Sequence, residues 1–175
     1  MAASCRKIRI WFLKILYKNR FSSGKNFLFK FSSQIKLDIT GSYIHFGDWV
    51  LVRDFCIFRA EKNGQLSIGN NVFFNNNCSL NCIGNIVIGN NCQFGEGVKM
   101  YDHNHVYLNR EKLIAEQGYT IGKISIGDNC WIGSNVVILK DVEIGNNVVV
   151  GAGCVIYKSI PSGSVVINQQ NFLIK

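Results

Sequence analysis

The sequence predicts an all-β fold, a three-sided parallel β-solenoid, preceded by one amphipathic helix. Bulky apolar residues recur every six positions, small or β-branched residues follow them four positions later, and Gly and Asn fall between. A period of six does not suit an amphipathic helix, which needs about 3.6, or a meandering sheet, whose turns come roughly every 8–12 residues. The bulky positions are Phe46, Val52, Phe58, Ile68, Phe74, Leu80, Ile88, Phe94, Met100, Ile126, Ile132, Ile138, Ile144, Val150 and Ile156.

Strand geometry explains this period. Side chains alternate faces along a strand, so residues two apart point to the same side. The chain must then turn a corner, which favours Gly and Asn, and pairs such as Asn90-Asn91 and Asp128-Asn129 stand at the expected places. Three strands close one coil of about 18 residues, and stacked coils bury the inward positions in a single core.

The interruptions of the period predict where function lies. The spacing lengthens only after every third strand, so all insertions should leave from one corner of the prism. The longest insertion covers residues 101–125, and long loops in compact domains are often functional.

The cysteines are predicted to be structural. Five of the seven occupy small inward positions and act as apolar fillers: Cys56, Cys78, Cys92, Cys130 and Cys154. Cys78 and Cys82 lack a second Cys/His pair, so no zinc site is predicted. Lys14 interrupts the apolar N-terminal stretch and no cleavage site follows, so we expect a cytoplasmic protein with reduced thiols.

The basic charge is concentrated at the N-terminus. Residues 1–36 hold nine of the 19 Lys and Arg residues and no acid, which leaves the remainder at a net −1. Residues 5–21 predict a basic amphipathic helix with one apolar face, formed by Ile8, Trp11, Phe12, Ile15 and Leu16. Two interpretations stay open: peripheral attachment to the anionic inner membrane face, or packing on the domain or a neighbouring subunit. A nucleic-acid partner is not expected, because no nucleic-acid module is recognisable.

Two of the three histidines lie in the long insertion, in Tyr101-Asp102-His103-Asn104-His105. Histidine suits the role of a general base at neutral pH. Exposed loop histidines without a role are the alternative, but their place on the longest insertion of a solenoid favours catalysis.

The hexapeptide repeats, the D-H-N-H loop and the run from Ile126 to Leu139 resemble the hexapeptide-repeat acyltransferases, which have a left-handed parallel β-helix. Within them the chain is most similar to the galactoside, maltose and polysaccharide O-acetyltransferases, over about residues 40–162. The resemblance implies the left-handed coil, an exception to the usual right-handed crossover.

The resemblance also implies a mechanism. Such enzymes are homotrimers that bind acetyl-CoA in a groove between adjacent prisms and need no metal. A loop histidine takes the proton of the acceptor hydroxyl. Counted without gaps from Met100, this histidine is His105, with His103 as the second candidate, and Asp102 would orient or charge-stabilise the imidazole.

Further site residues follow from the same resemblance. Asn75 would contact the acceptor and Trp131 would wall the groove, although a turn asparagine and corner packing are the alternatives. The residues expected to bind coenzyme A are Ser134, Gly151, Ala152 and Lys158. Two departures from the family pattern are Tyr157 in place of the usual threonine and a C-terminal segment without the G-N-P-A-like sequence.

We therefore expect an acetyl-CoA-dependent O-acetyltransferase acting on a sugar or a polysaccharide-precursor hydroxyl. The alternatives are N-acetylation of an amino sugar or xenobiotic, a non-catalytic scaffold, and a zinc enzyme like the γ-carbonic anhydrases, for which three histidines must converge. The predicted organisation is a basic segment at 1–36, the β-helix at 37–162 with the insertion 101–125, and a tail at 163–175.

Overall fold

Successive strands turn round the three sides of a prism, and each side is a parallel sheet. The computed structural model describes residues 2–38 and 40–169, with side chains from residue 8 onward. Each strand pairs with the strands one coil before and one coil after, which gives sheets of six, seven and six strands in this part of the chain. The predicted left-handed parallel β-helix with an N-terminal helix is confirmed.

The elements follow one another coil by coil. Helix α1 is Ala2–Tyr17, and a 3₁₀ turn at Lys18–Arg20 leads into the solenoid. The first three coils contain β1 (Phe21–Ser23), β2 (Leu28–Phe29), β3 (Gln34–Leu37), β4 (Tyr43–Phe46), β5 (Leu51–Val52), β6 (Ile57–Ala60), β7 (Gln65–Ile68), β8 (Phe73–Phe74) and β9 (Ser79–Cys82). The fourth coil and the insertion after it contain β10 (Asn85–Ile88), β11 (Gln93–Phe94), β12 (Lys99–Tyr101), β13 (His103–His105), a 3₁₀ turn at Ile114–Glu116 and β14 (Tyr119–Ile121). The last coils contain β15 (Lys123–Ile126), β16 (Trp131–Ile132), β17 (Val137–Ile138), β18 (Val142–Ile144), β19 (Val149–Val150), β20 (Val155–Ile156) and β21 (Val165–Val166).

The three sheets meet at three corners. Sheet A contains the first strand of each coil, from β1 to β18, sheet B the second, from β2 to β21, and sheet C the third, from β3 to β20. We name the corners A/B, B/C and C/A after the sheets that they join. The chain leaves each coil for the next at the C/A corner, and all the predicted insertions lie there, as expected.

The core confirms the six-residue period. Every predicted bulky position is buried, and the most exposed of them, Ile156, is only 5% exposed. Four phenylalanine rings contact one another in succession along the axis, with centroids 5.0, 5.0 and 4.7 Å apart: Phe46, Phe58, Phe74 and Phe94. Burying a side chain of this size stabilises the fold by about 1.5–3 kcal/mol, so the stack contributes much of the cohesion between coils.

The cysteines have the predicted structural role. All six whose side chains the structure describes are free and buried. Burial raises the pKa of the Cys92 thiol to about 11, so this side chain stays protonated and unreactive at neutral pH.

The A/B corner is held by a ladder of polar side chains. The Oδ1 atom of Asn90 accepts the backbone N–H of Asn70 at 2.9 Å, and the Oδ1 atom of Asn146 accepts that of Asp128 at 2.7 Å. The residue after each of these positions has a left-handed backbone, as at Asn91 with φ of 59°. Asparagine tolerates this region better than other residues with a side chain, which explains the paired turn residues.

The solenoid begins one coil before the predicted boundary at residue 37. Strands β1, β2 and β3 pair with β4, β5 and β6. The six-residue pattern is hidden in this coil because Ser23 stands where the next coil has Phe46. At the other end, β21 pairs with β19 beyond the predicted limit at residue 162, and residues 170–175 of the tail lie outside the described chain.

Helix α1 covers the first coil with a face that the sequence analysis did not select. Ile10, Leu13 and Tyr17 pack against the core, whereas the predicted apolar face remains exposed. The Arg9 guanidinium donates to the carbonyl oxygens of Phe31 and Ser33, both at 2.6 Å, and so ties the helix to the first coil. In the described chain, no helix has the length and apolar character needed to span a bilayer.

The longest insertion is a hairpin at its base. Strand β13 pairs antiparallel with β14, so that His103 lies opposite Ile121 and His105 opposite Tyr119. The Gly122 N–H closes the base by donating to the Asp102 carbonyl oxygen at 2.8 Å. Because residues two apart share a face of a strand, both histidines lie on one face of β13.

Candidate active site

An open cavity of about 220 Å³ lies at the C/A corner, beside the base of the hairpin. Its walls come from the second, third and fourth coils and from the hairpin, and they are a mixture of charged, polar and aromatic side chains. The lining residues are Arg59, Glu61, Lys62, Asn81, Cys82, Ile83, Tyr101, His103 and Tyr119.

Asp102 and His103 form a fixed pair at this cavity. The Asp102 side chain is fully buried, and its two carboxylate oxygens accept the backbone N–H groups of Ile83 and Gly84 at 3.0 and 2.9 Å. One of these oxygens also lies 2.9 Å from Nδ1 of His103. A carboxylate can only accept, so Nδ1 donates this hydrogen bond, and in the neutral imidazole the lone pair is then on Nε2. An imidazole held in this way can take a proton from a bound hydroxyl.

His105 lies on the same face of β13 but is exposed. Its ring centroid is 4.6 Å from that of Tyr119, which also contacts His103 edge-on with centroids 5.2 Å apart. The Lys62 ammonium sits 4.1 Å from the centre of the Tyr119 ring on the cavity side of the hairpin. Tyr119 therefore contacts both histidines and Lys62.

The sequence analysis did not single out the charged groups of the cavity. Arg59 and Glu61 form an ion pair at 2.8 Å, and Lys62 is their neighbour in the chain. One feature of the sequence could have indicated these charged residues. It is the ten-residue interval between Phe58 and Ile68, which marks an insertion at the corner that also carries the histidines.

The structure places Trp131 and Asn75 away from this cavity. Trp131 begins β16 on sheet B and is 59% exposed, so sheet A separates it from the hairpin. Asn75 lies at the B/C corner, where its Oδ1 atom accepts the Asn76 N–H at 2.9 Å and the Arg53 guanidinium at 3.3 Å. Its observed contacts are those of a turn asparagine.

The predicted coenzyme A residues also lie at separate corners. Ser134, Gly151 and Ala152 are at the B/C corner of the fifth and sixth coils, where the Ser134 carbonyl oxygen accepts the Gly153 N–H at 2.8 Å. Lys158 is exposed at the C/A corner, after β20, with its ammonium 5.7 Å from the Tyr157 ring centre.

One prism therefore does not gather all the predicted site residues. The strands of sheets A and C at these levels are two to four residues long, and a four-residue strand spans roughly 13 Å. The histidines project at one corner, and Trp131 and Ser134 face other directions.

The described residues contain no group of three or more His, Cys, Asp or Glu side chains placed to hold a metal ion. His45 lies on β4, where Nδ1 is 2.7 Å from the Ser22 hydroxyl oxygen. It is two coils away from β12, the strand that precedes the hairpin.

Comparison with known proteins agrees with the coil. Residues 123–158 match the family model for the bacterial transferase hexapeptide (six repeats). The chain is 31% identical over 86 residues to nodulation protein L of Rhizobium leguminosarum bv. viciae, which is 49% of this chain and 44% of that protein. The matched segment thus spans less than half the length of this curated relative.

Solved structures share the fold. A mutant of AntD, an N-acyltransferase from Bacillus cereus in complex with dTDP-4-amino-4,6-dideoxyglucose and coenzyme A, matches with a TM-score of 0.73 and 22% identity, over 93% of this chain and 88% of that one. The hexapeptide-repeat acetyltransferase VCA0836 from Vibrio cholerae O1 biovar eltor, complexed with acetyl coenzyme A, matches with a TM-score of 0.56 and 21% identity, over 95% of this chain and 80% of that one. The chain thus contains the transferase hexapeptide repeat over residues 123–158 and has the same fold as these acyltransferases.

Proposed function

We propose that this chain is a coenzyme A-dependent acyltransferase that moves an acetyl group from acetyl-CoA to a hydroxyl group of a sugar or polysaccharide precursor. The observation that carries the proposal is the buried Asp102 carboxylate holding His103 at an open cavity. The acyltransferases among the structural neighbours bind coenzyme A or acetyl-CoA, which supports the choice of acyl donor.

The proposed reaction is a direct transfer. Nε2 of the catalytic histidine takes the proton of the acceptor hydroxyl while the oxygen attacks the thioester carbonyl carbon. The carbon–sulfur bond then breaks, an acetyl ester forms on the acceptor, and coenzyme A leaves as the thiol after receiving the proton. The chain contributes the position and the tautomer of the base.

The proposed general base is one of two neighbouring imidazoles. The contact with Asp102 and the position in the cavity wall favour His103. The family resemblance favours His105, which is exposed and therefore accessible to a groove formed with a second subunit. In either case Asp102 holds in place the start of the hairpin that carries both histidines.

The proposed assembly is a homotrimer. Its support is the distribution of the site residues over separate corners of one prism, together with an apolar outer face on sheet B. Side chains aligned by the register of sheet B project outward along the stack: Leu28, Leu51, Phe73, Gln93, Trp131, Val149 and Val165. An apolar face of this kind suits contact with another copy.

Steady-state release of thiol from acetyl-CoA with sugar acceptors tests the proposal. We expect His103→Ala and His105→Ala together to lower kcat at least a hundredfold, since a general base contributes typically about 10²–10⁴-fold. The single variants decide between the two imidazoles, because the base variant alone should reproduce most of the loss. His45→Ala, which lies outside the cavity, is the matched control and should keep its kcat.

Wild-type kcat in the double variant would eliminate the histidine mechanism. Binding of acetyl-CoA, measured by calorimetry, separates a catalytic role from a scaffold, since a scaffold has neither activity nor acetyl-CoA binding.

A second candidate is N-acylation of an amino sugar. It is favoured by the likeness to AntD, an N-acyltransferase whose complex contains a dTDP-linked amino sugar. Parallel assays with amino sugars and with their hydroxyl analogues distinguish the two acceptors by kcat/KM.

A further inference from the structure

Helix α1 has two apolar faces, and only one of them is used within the chain. Ile10, Leu13 and Tyr17 pack against the solenoid. The second face, which we call the exposed stripe, presents five large side chains that are each 52–64% exposed: Ile8, Trp11, Phe12, Ile15 and Leu16.

The exposed stripe is continuous and is held rigidly. Its members recur at helical spacing, so they lie side by side along α1. Two contacts orient the stripe away from the solenoid: Arg9 donates to the Phe31 carbonyl oxygen, and Lys14 Nζ donates to the Ser23 carbonyl oxygen at 3.0 Å. Phe31, 79% exposed, lies beside the helix, where the Arg9 guanidinium is 5.1 Å from its ring centre. A continuous apolar surface of this kind marks an interaction site.

The charge around the stripe selects the kind of partner. Residues 1–36 contain nine cationic side chains and no acidic one, and Lys14, Lys18, Lys25 and Lys30 are exposed. A second copy placed on the same face would bring like charges together. Residues 37–175 have a net charge of −1, so a second copy offers no large excess of acid to compensate.

We propose that the exposed stripe docks the protein on an anionic lipid surface, with α1 lying in the plane of the interface. The apolar side chains would enter the boundary between headgroups and acyl chains, and each lysine near the surface adds about 1 kcal/mol of attraction.

Docking through the first coil leaves the cavity accessible. The cavity begins at the second coil and ends at the fourth, so with strands about 4.8 Å apart it lies roughly 5–15 Å from the docked end. The proposal does not depend on the chemistry of the site, because the stripe and the cavity share no residue.

Vesicle flotation of the full chain tests the proposal at about 0.1 M salt, where surface charges are only partly screened. The vesicles are phosphatidylcholine alone or a mixture with phosphatidylglycerol. We expect binding to the mixed vesicles, at least tenfold weaker binding to phosphatidylcholine, and a decline as salt increases. Trp11→Ser with Phe12→Ser should lower the partition coefficient at least tenfold, and Lys18→Gln with Lys25→Gln, which leaves the Lys14 contact with Ser23 intact, should lower it several-fold.

Val87→Ser is the matched control, since Val87 is 41% exposed on sheet A, far from the helix. It should bind within about twofold of the wild type. Circular dichroism checks that each variant keeps its fold.

Equal binding of the wild type to both kinds of vesicle, or unchanged binding of the Trp11 and Phe12 variant, would overturn the proposal. A combination of two results would also overturn the proposal: sedimentation shows that the wild type is an oligomer without lipid and that the Trp11 and Phe12 variant is not, and the wild type does not bind vesicles. A second copy of the chain would then cover the stripe.

Discussion

At the scale of single residues, Asp102 connects the fold to the candidate chemistry. Its carboxylate is fully buried and satisfies two backbone donors of the neighbouring coil as well as the His103 ring. An unpaired buried donor costs about 1–3 kcal/mol, so this carboxylate stabilises the corner and orients the imidazole at the same time. The sequence indicated the aspartate as a partner of the histidines, but not its bonds to Ile83 and Gly84.

Asp102→Asn should lower both stability and turnover. The amide keeps the size of the side chain but replaces one accepting oxygen with a donor, so one N–H group is left unpaired. We expect a loss of about 1–3 kcal/mol in the free energy of unfolding by urea denaturation and at least a tenfold fall in kcat, with a smaller change in KM. Glu111→Gln, on the exposed part of the insertion, is the control. Wild-type turnover in Asp102→Asn would show that the carboxylate does not orient the base.

At the scale of the elements, the corners determine how regularly the coils stack. The A/B corner repeats one arrangement, with a left-handed residue at Asn71, Asn91, Asn129 and Asn147. In the second coil this place is taken by Trp49, with φ of 59° and a 64% exposed side chain. The left-handed region costs a residue with a bulky side chain roughly 1–2 kcal/mol, so Trp49 is strained where asparagine is not.

Trp49→Asn should therefore stabilise the monomeric fold. We expect an increase of about 1 kcal/mol in the free energy of unfolding, measured by urea denaturation, because asparagine relieves the backbone strain. Asn91→Ala should be destabilising, because it adds backbone strain and removes the hydrogen bond that Asn91 Oδ1 accepts from Asn71 Nδ2 at 2.9 Å. A less stable Trp49→Asn variant would mean that contacts of the indole ring outweigh the strain.

At the scale of the whole molecule, the prism separates groups that the proposed reaction needs together. The histidine hairpin leaves the C/A corner, whereas Trp131 faces outward from sheet B and Ser134 lies at the B/C corner. Coils stacked along one axis hold these directions fixed. The proposed trimer brings the corner of one copy to the face of another, so that each site is shared between two chains.

Mixing two inactive variants tests whether the site is shared. One chain carries His103→Ala and His105→Ala, and the other carries Trp131→Ala with Ser134→Ala. Co-expressed in equal amounts, they should regain about a quarter of the wild-type activity, since each site draws its two halves at random from two chains. Each variant assayed alone gives the baseline. No recovery in verified mixed oligomers would place both halves within one chain.

The sequence by itself determined the parallel coil, its inward residues and the corner of the insertions, because a period of six leaves only one way to bury the apolar positions. It did not determine the first coil, where Ser23 interrupts the apolar pattern, or the face by which α1 packs, because the helix has apolar residues on two sides. Only the tertiary structure decided the Asp102 network, the hairpin and the charged cavity wall of Arg59, Glu61 and Lys62. The Asp102 bonds to Ile83 and Gly84 join residues 19 and 18 apart, and the cavity wall brings together residues of three coils, which no local pattern of residues records.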